Sequence, residues 1–196
     1  VCAAPGGKSI HVAEKLGGSG HVEARDLTPY KVGMIEENIE RTGLLNIEAV
    51  CQDALVYDEG SREKADIVIA DLPCSGLGVL GKKTDLKYKA TKQGAAELAQ
   101  MQREMLDVVC RYVKSGGKLL YSTCTVNPAE NEENVRWFLE THPEFELADL
   151  RECMKQWKPE ACEELLQAVS EEGWLQLLPG IHKSDGFFIA GLRKRK

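Results

Sequence analysis

The chain has 196 residues, of which 43% are hydrophobic, 29% charged and 6% aromatic. That composition excludes the disordered, collagen-like and membrane-spanning classes and suits one globular domain with at most a small second one. Its 31 acidic residues outnumber 25 basic ones, and the formal charge of −6, taken alone, argues against a nucleic-acid partner. The seven cysteines, at positions 2, 51, 74, 110, 124, 153 and 162, form no C-x-x-C pair. This argues against a disulfide framework or a zinc ribbon and for a reducing, cytoplasmic setting without metal. No apolar run approaches the roughly 18 residues of a membrane span, so no membrane partner is expected.

The sequence opens on Val1-Cys2-Ala3-Ala4-Pro5-Gly6-Gly7-Lys8, which reads as the end of a strand running into a glycine-rich turn. A helix is expected from about Gly7 to Leu16, ended by Gly17-Gly18, and a strand from about Gly20 to Arg25. Thr28-Pro29 supplies a cap and a first-turn proline for the next helix, and Gly43 stops it. Residues Asn46 to Cys51 read as a strand. Ala65 to Ala70 (A-D-I-V-I-A) has the composition of a parallel strand buried on both faces. A long helix from Gln93 to Val113, closed by Ser115-Gly116-Gly117, precedes a buried strand from Lys118 to Ser122, and another helix spans Asn131 to Thr141. His142 to Glu172 is acidic, helix-prone in Pro159 to Val169, and reads as an insertion. Trp174 to Leu178 and Gly186 to Leu192 are expected as two last strands. Strands alternating with helices imply an α/β fold, a mostly parallel sheet with helices on both faces.

In such sheets ligands bind beyond the carboxyl ends of the strands. Cys2 to Lys8 occupies that place. Ala3, Ala4, Gly6 and Gly7 are small enough for close backbone approach, and the following helix presents N–H groups to an anion. The run fits neither G-x-G-x-x-G nor G-x-x-x-x-G-K-[ST], because Cys2 stands where the latter needs its first glycine, so nucleoside triphosphates are disfavoured. Asp26, at the end of the second strand, has the spacing of a carboxylate that accepts ribose hydroxyls. Asp53 follows the third strand, where it can face an adenine edge. Turn glycines and strand-end caps occur in any α/β protein, but loop and Asp26 together point to an adenosine-containing ligand, NAD or S-adenosylmethionine.

Asp71-Leu72-Pro73-Cys74-Ser75-Gly76 follows the fourth strand and Ser122-Thr123-Cys124-Thr125 the fifth. Adjacent strands lie about 4.8 Å apart, so both thiols are expected to reach one cleft. Hydride transfer has no use for two thiols there. Methylation of pyrimidine carbon 5 does: a thiolate adds to C6, C5 becomes nucleophilic, and after methylation the C5 proton and the thiolate leave. Asp71 is placed to hold or deliver a proton near N3. Free cysteines usually only pack. We expect that of Cys51, Cys110, Cys153 and Cys162, Cys110 lying on the apolar face of its helix with Leu98, Met101, Met105, Leu106 and Val109.

These segments, V-C-A-A-P-G-G-K at Val1 to Lys8, Asp26, Asp53, D-L-P-C-S-G at Asp71 to Gly76, S-T-C-T-V-N-P-A-E-N-E at Ser122 to Glu132, Leu178-Pro179-Gly180 and Asp185-Gly186-Phe187-Phe188, resemble the Sun-type RNA cytosine-C5 methyltransferases in order and spacing. The resemblance implies a Rossmann-like S-adenosylmethionine-dependent methyltransferase fold whose last strand is antiparallel. It implies S-adenosylmethionine as cofactor at Cys2, Ala3, Ala4, Pro5, Gly6, Gly7, Lys8, Asp26, Asp53 and Asp71. It also implies that Cys124 is the nucleophile, that Cys74 assists release of the product, and that the substrate is RNA, with small-subunit ribosomal RNA expected. Residues 1–196 then correspond to a catalytic domain whose amino-terminal RNA-binding domain and first-strand beginning lie outside the sequence. Two positions depart from the family pattern: Leu72 stands where Ala is usual, a bulkier residue near the cofactor, and Thr84 precedes Asp85 where Pro is usual.

Residues 82–92 (K-K-T-D-L-K-Y-K-A-T-K) hold five lysines against one aspartate directly after the Cys74 loop. Lys82, Lys83, Lys87 and Lys89 are expected to contact RNA phosphates, with Tyr88 as a stacking surface. The terminal Arg193-Lys194-Arg195-Lys196 reads as a solvated charge run. A flipped or single-stranded cytosine is expected as the target, because C6 must be accessible. His11, His21, His142 and His182 have no ligand-like spacing and receive no catalytic role. Competing readings are an RNA-binding ribosome-assembly factor that keeps the fold without turnover and an NAD-dependent dehydrogenase.

Overall fold

The computed structural model describes residues 1–89, 91–154, 163 and 165–196, with Lys87 and Lys89 described by backbone alone, and the chain divides into two units, Val1–Asp58 and Glu59–Lys196. Cys162 and part of the helix-prone segment Pro159 to Val169, residues 159–162 and 164, lie outside the described residues.

In the first unit, helix α1 (Gly7–Leu16) starts after Gly6, whose φ of 102° disfavours any side chain and where a built Cβ would press on Ile35 Cγ2 at 3.2 Å. Strand β1 (Val22–Asp26) runs parallel to β2 (Ile47–Cys51), with Val22 opposite Ile47 and Asp26 opposite Cys51. Between them, helix α2 (Pro29–Thr42) is capped by the Thr28 side chain, which accepts the Lys31 N–H, and ends at Gly43 in the left-handed region. Ala13, Ala24, Ile35 and Ile47 form the core, joined by Ile10, Val22 and Ile39. Ile35 is fully buried, a contribution of about 2–3 kcal/mol by area. The small residues Ala3 and Ala4 of the opening loop pack on the same cluster, so the core below anchors that loop.

In the second unit, β3 (Ala65–Asp71) pairs parallel with β4 (Val113–Thr123), and β7 (Phe187–Lys194) lies antiparallel on the other side of β4. Strands β5 (Phe145–Ala148) and β6 (Leu175–Leu177) both pair antiparallel with β7. The five-stranded sheet of this unit is therefore mixed, with β3–β4 parallel and the antiparallel pairings gathered around the last strand, whereas the two-stranded sheet of the first unit is parallel. Helices α3 (Leu86–Lys89), α4 (Lys92–Val109), α5 (Glu132–Thr141) and α6 (Leu150–Met154) complete the unit. Tyr121, Phe138, Phe188, Leu106, Leu119 and Leu192 are its fully buried side chains of largest volume. Tyr121 and Phe188 meet edge to face, with ring centroids 6.1 Å apart.

Three expectations are corrected. Helix α4 ends at Val109 and passes through a short 3-10 turn, Cys110–Tyr112, into β4, which starts at Val113 rather than Lys118. Ser115-Gly116-Gly117, read as a helix stop, is instead taken up by an irregularity in the ladder between the pairs Ala65–Val113 and Ile67–Lys118. Second, β3 is not buried on both faces: Val68 and Ala70 are buried, but Ile67 is 61% exposed, and among the described strands β3 pairs with β4 alone. Third, the stretch after His142 is not simply an insertion. Phe145–Ala148 forms a sheet strand, and Met154 packs with Ala168, Val169 and Leu175 in a satellite core. Cys110 is buried, as its helical position suggested, and burial pushes its thiol up to about 12.

Candidate active site

The proposed cofactor residues of the first unit gather at the carboxyl end of β1. The opening loop lies along that strand through the Ala3 N–H, which donates to the Arg25 carbonyl at 3.0 Å. Asp26, 2% exposed, accepts the Ala4 N–H on Oδ2 at 2.9 Å and the Leu27 N–H on Oδ1 at 2.8 Å, with Lys31 Nζ 3.2 Å away. Burial pushes this carboxyl up, but the two N–H donors and Lys31 outweigh it and hold Asp26 below the usual carboxylate value. The residue chosen for its spacing from the glycines thus also anchors the loop, a role that spacing alone does not reveal. Pro5 is held from the other side, its carbonyl accepting from Asn38 Nδ2 at 3.0 Å. Cys2 has a backbone φ of 56°, and Lys8 sits in the first turn of α1. Asp53 closes a turn by accepting the Leu55 N–H at 2.9 Å, just after β2.

The second unit brings the two expected thiols together: Cys74 Sγ and Cys124 Sγ are 3.2 Å apart. The parallel pairing of β3 and β4 places Asp71 opposite Ser122, so the loops that follow leave the sheet side by side. Ser122 Oγ donates to Asp71 Oδ1 at 2.7 Å, and the Leu72 N–H donates to the Ser122 carbonyl. The Leu72 side chain is buried. The thiols differ in proton affinity. The S–H of Cys74, donated to Cys124, brings the Cys124 thiol down to about 7; burial and the Asp71 charge oppose this, and Lys83 adds to it. The same S–H bond, together with burial, pushes Cys74 far up, so Cys74 keeps its proton more tightly than Cys124.

The polar network beneath the thiols was not legible as a site in the sequence. Glu130, fully buried, accepts on Oε1 from Ser75 Oγ (2.5 Å) and Asn127 Nδ2 (2.9 Å) and on Oε2 from the Ser75 N–H (2.8 Å) and Gln102 Nε2 (3.1 Å). Ser75 Oγ also lies 2.8 Å from Thr125 Oγ1. Asn131 accepts from Thr123 Oγ1 at 2.6 Å and donates to the Thr125 carbonyl at 3.1 Å, bracketing Cys124 on both sides. The Tyr121 hydroxyl donates to the Glu130 carbonyl. Four donors on one buried carboxylate satisfy its lone pairs, which is what a buried charge requires. A signal existed: Asn127-Pro128-Ala129-Glu130-Asn131 places three polar side chains in five residues after a buried strand, although a turn would explain them equally well.

Gly78 ties a third loop to these two. Its N–H donates to the Cys124 carbonyl at 3.0 Å, and its carbonyl accepts the Gly186 N–H at 2.7 Å. A Cβ built on Gly78 would lie 2.3 Å from the Gly186 oxygen, so no other residue fits there.

The basic segment follows directly. Lys82 Nζ pairs with Asp185 at 2.6 Å, Lys83 is exposed and acts on Cys124 through its charge, and Tyr88 is 80% exposed in α3. The backbones of Lys87 and Lys89 belong to that short helix, and their side chains lie outside the described atoms. At the carboxyl terminus Arg193 and Arg195 pair with Glu146, and Lys194 pairs with Glu63. Those charges thus serve the fold. Among the described residues no group of acidic, His and Cys side chains could hold a metal, and no helix is long and apolar enough to cross a membrane.

Comparison with known proteins places this geometry in a family. The chain matches the family described as 16S rRNA methyltransferase RsmB/F over residues 1–193. It is 40% identical over 196 residues to the probable ribosomal RNA small subunit methyltransferase B of Bacillus subtilis (strain 168), covering 100% of this chain and 42% of that protein. It is 35% identical over 195 residues to ribosomal RNA small subunit methyltransferase F of Escherichia coli O157:H7 (strain EC4115 / EHEC), covering 99% of this chain and 39% of that protein. The chain therefore spans less than half the length of these curated relatives. The crystal structure of NSun6 from Pyrococcus horikoshii with SFG matches at a TM-score of 0.77 and 30% identity, over 99% of this chain and 46% of that one. A SAM-dependent methyltransferase from Aquifex aeolicus matches at a TM-score of 0.57 and 14% identity, over 98% of this chain and 79% of that one, a likeness of fold. The mixed sheet and its flanking helices are thus the Rossmann-like fold of S-adenosylmethionine-dependent methyltransferases, and the chain belongs to the RsmB/F family of 16S rRNA methyltransferases.

Proposed function

We propose that this chain is the catalytic domain of a cytoplasmic enzyme that transfers a methyl group from S-adenosylmethionine to carbon 5 of a cytosine in small-subunit ribosomal RNA. The observation that carries the reading is the thiol pair, 3.2 Å apart at the ends of two parallel strands, with Cys124 poised to be a thiolate and Cys74 to keep its proton. The Cys124 thiolate adds to C6 of the ring, forming the S–C6 bond while the C5–C6 π pair shifts to C4–C5 and the C4–N3 π pair moves onto N3. Asp71, oriented by Ser122, holds a proton at N3 that receives this charge. Carbon 5 is then nucleophilic enough to take the methyl group that the bound donor supplies. Cys74, as a thiolate once its own proton has passed to solvent, takes the C5 proton; the C5–H pair re-forms the C5–C6 double bond and Cys124 Sγ leaves with the S–C6 pair. Once Cys124 Sγ is bonded to C6, the S–H bond that most raises Cys74 is gone. The thiol that kept its proton during attack becomes more acidic when the adduct must be released.

The residues of the first unit suit the donor. No side chain caps α1 at Gly6, and nothing stands within 4 Å of a Cβ built on Gly7, which favours approach of a carboxylate to the first turn. Cys2–Lys8 would hold the methionine end, Asp26 the ribose and Asp53 the adenine edge, with Asp71 contributing as the family resemblance implies. Asp26 Oδ2 keeps a lone pair beyond its Ala4 N–H contact, whereas Oδ1 faces both the Leu27 N–H and Lys31 Nζ. Lys82, Lys83, Lys87 and Lys89 would contact RNA phosphates and Tyr88 a base.

The test is methyl transfer from labelled S-adenosylmethionine into 16S ribosomal RNA, followed by nucleoside analysis. The expected product is 5-methylcytidine, lost in Cys124→Ala, with a denaturation-resistant protein–RNA adduct accumulating in Cys74→Ala. Label in another nucleoside, or turnover by Cys124→Ala, overturns the mechanism. RNA binding without detectable S-adenosylmethionine binding favours an assembly factor that keeps the fold.

A further inference from the structure

Beyond the two cysteines and Asp71, the second unit contains a charged group that touches neither thiol yet reaches both loops. Glu130 is fully buried on a short turn, Pro128–Glu130, between β4 and α5. Its carboxylate grips the residue after Cys74 twice, through the Ser75 N–H and Ser75 Oγ. The hydroxyls continue across to the other loop: Thr125 Oγ1 accepts the Asn127 N–H at 3.2 Å and stands 2.8 Å from Ser75 Oγ, which itself points at Glu130. With Ser75 donating to the carboxylate, its oxygen is left to accept from Thr125, so one proton direction runs Thr125 to Ser75 to Glu130. The residue after Cys74 is thereby bonded to the residue after Cys124, and one carboxylate orders the chain. Gln102, which donates to Glu130 and to the Pro73 carbonyl at 2.8 Å, clamps the Cys74 loop from the other side.

We propose that Glu130 is a positioning residue of the methyl-transfer reaction, which holds the Cys74 and Cys124 loops at a fixed separation through Ser75 and Thr125. This rests on the reading of Cys124 as nucleophile and Cys74 as release thiol. A carboxylate is required because all four of its contacts are donors. An amide in its place turns an NH2 group toward either Ser75 Oγ and Asn127 or the Ser75 N–H and Gln102, so donor meets donor on one side and the loop shifts. A shift that moves the Cys74 loop away from Cys124 lengthens the 3.2 Å Sγ–Sγ contact and weakens the S–H bond between the thiols.

The test reads the thiols without RNA, which separates its failure from failure of the proposed reaction. Iodoacetamide alkylation of the Cys124 peptide is followed by mass spectrometry from pH 5.5 to 10 in the wild type, Glu130→Gln, Cys74→Ala and the double variant. Glu130→Gln is expected to raise the alkylation midpoint by about one pH unit toward the ordinary thiol value. In the Cys74→Ala background the same substitution is expected to add no shift, because the group it acts through is gone. A residue that only supports the fold would lower the unfolding temperature and shift both backgrounds alike. Ser75→Ala, which keeps the backbone N–H bond and the carboxylate but breaks the hydroxyl relay, is expected to give a smaller shift in the same direction, and decides the matter if Glu130→Gln does not fold. An unchanged midpoint in the folded variants, or an equal shift with and without Cys74, overturns the proposal.

Discussion

Replacing Cys74 by alanine tests the electrostatics of the thiol pair directly. In the wild type the leading cause of the low Cys124 value, about 7, is the S–H bond from Cys74. Removing that donor leaves burial and the Asp71 charge, both of which raise the thiol, against Lys83 and a backbone N–H, so the midpoint should return to 9 or higher. At pH 7 the thiolate fraction then falls from about one half to about 1%, a loss of roughly fiftyfold. A thiolate of higher proton affinity is intrinsically more reactive, with a Brønsted slope of about 0.4–0.5, which restores roughly six- to tenfold over two units. The net expectation is alkylation of Cys124 slowed about five- to eightfold at pH 7, equal rates near about pH 8, and a variant faster than wild type by up to about tenfold above pH 9.5. The assay is the iodoacetamide rate at the Cys124 peptide as a function of pH. A variant whose profile still turns near pH 7 would refute the reasoning, because Lys83 or the backbone would then be setting the thiolate.

Three further outcomes follow from the structure. Asp26→Asn keeps one acceptor for the Ala4 or Leu27 N–H but loses the charge that Lys31 faces. It is expected to weaken S-adenosylmethionine binding by at least about tenfold in calorimetry and to cost about 1–2 kcal/mol in urea unfolding. Because the Asp26 carboxyl is held below its usual value, its contribution to stability is complete above the unfolded-state value near 4 and disappears as pH falls through the folded one. The Asn variant should therefore lose stability relative to wild type at pH 7 and approach it as the pH falls below the ordinary carboxylate range. Lys83→Gln is expected to weaken RNA binding, to lower the salt slope of the affinity by about one and to raise the Cys124 midpoint by a few tenths of a unit, whereas a purely solvated lysine would alter none of these. Gly78→Ala puts a methyl group 2.3 Å from the Gly186 oxygen and 2.7 Å from the Cys124 oxygen, and is expected to destabilise the protein by more than about 3 kcal/mol, seen as a lowered urea midpoint. Normal stability in that variant would show that the three loops are not locked together.

Local signals were legible where a single residue type decides the backbone. Thr28-Pro29 and Gly43 bound α2 as expected, and Gly7 and Leu16 are the ends of α1. They failed where pairing decides. The glycines at 116 and 117 read as a helix stop, yet they sit in the irregular start of β4, because the ladder with β3 has to skip residues there. Phe145–Ala148 is too short to be recognised as a strand, and it forms only because β7 offers an edge. Ile67 looks like core in an apolar run, but burial on both faces requires packing over both faces of the sheet, which an apolar run by itself does not encode, and Ile67 is exposed.

The sequence by itself determined the alternation of strands and helices, the loops on which the cysteines and Asp71 stand, and the family resemblance, because these depend on residue type and spacing along the chain. Only the tertiary structure decided that Cys74 and Cys124 touch, that they differ in proton affinity, and that Glu130, Ser75 and Thr125 join their loops. It also decided that Lys82 and three of the four terminal basic residues answer carboxylates of the fold. The physical reason is common to all of these: a proton affinity or an ion pair is set by groups that approach through space across tens of residues, at distances that no local pattern encodes.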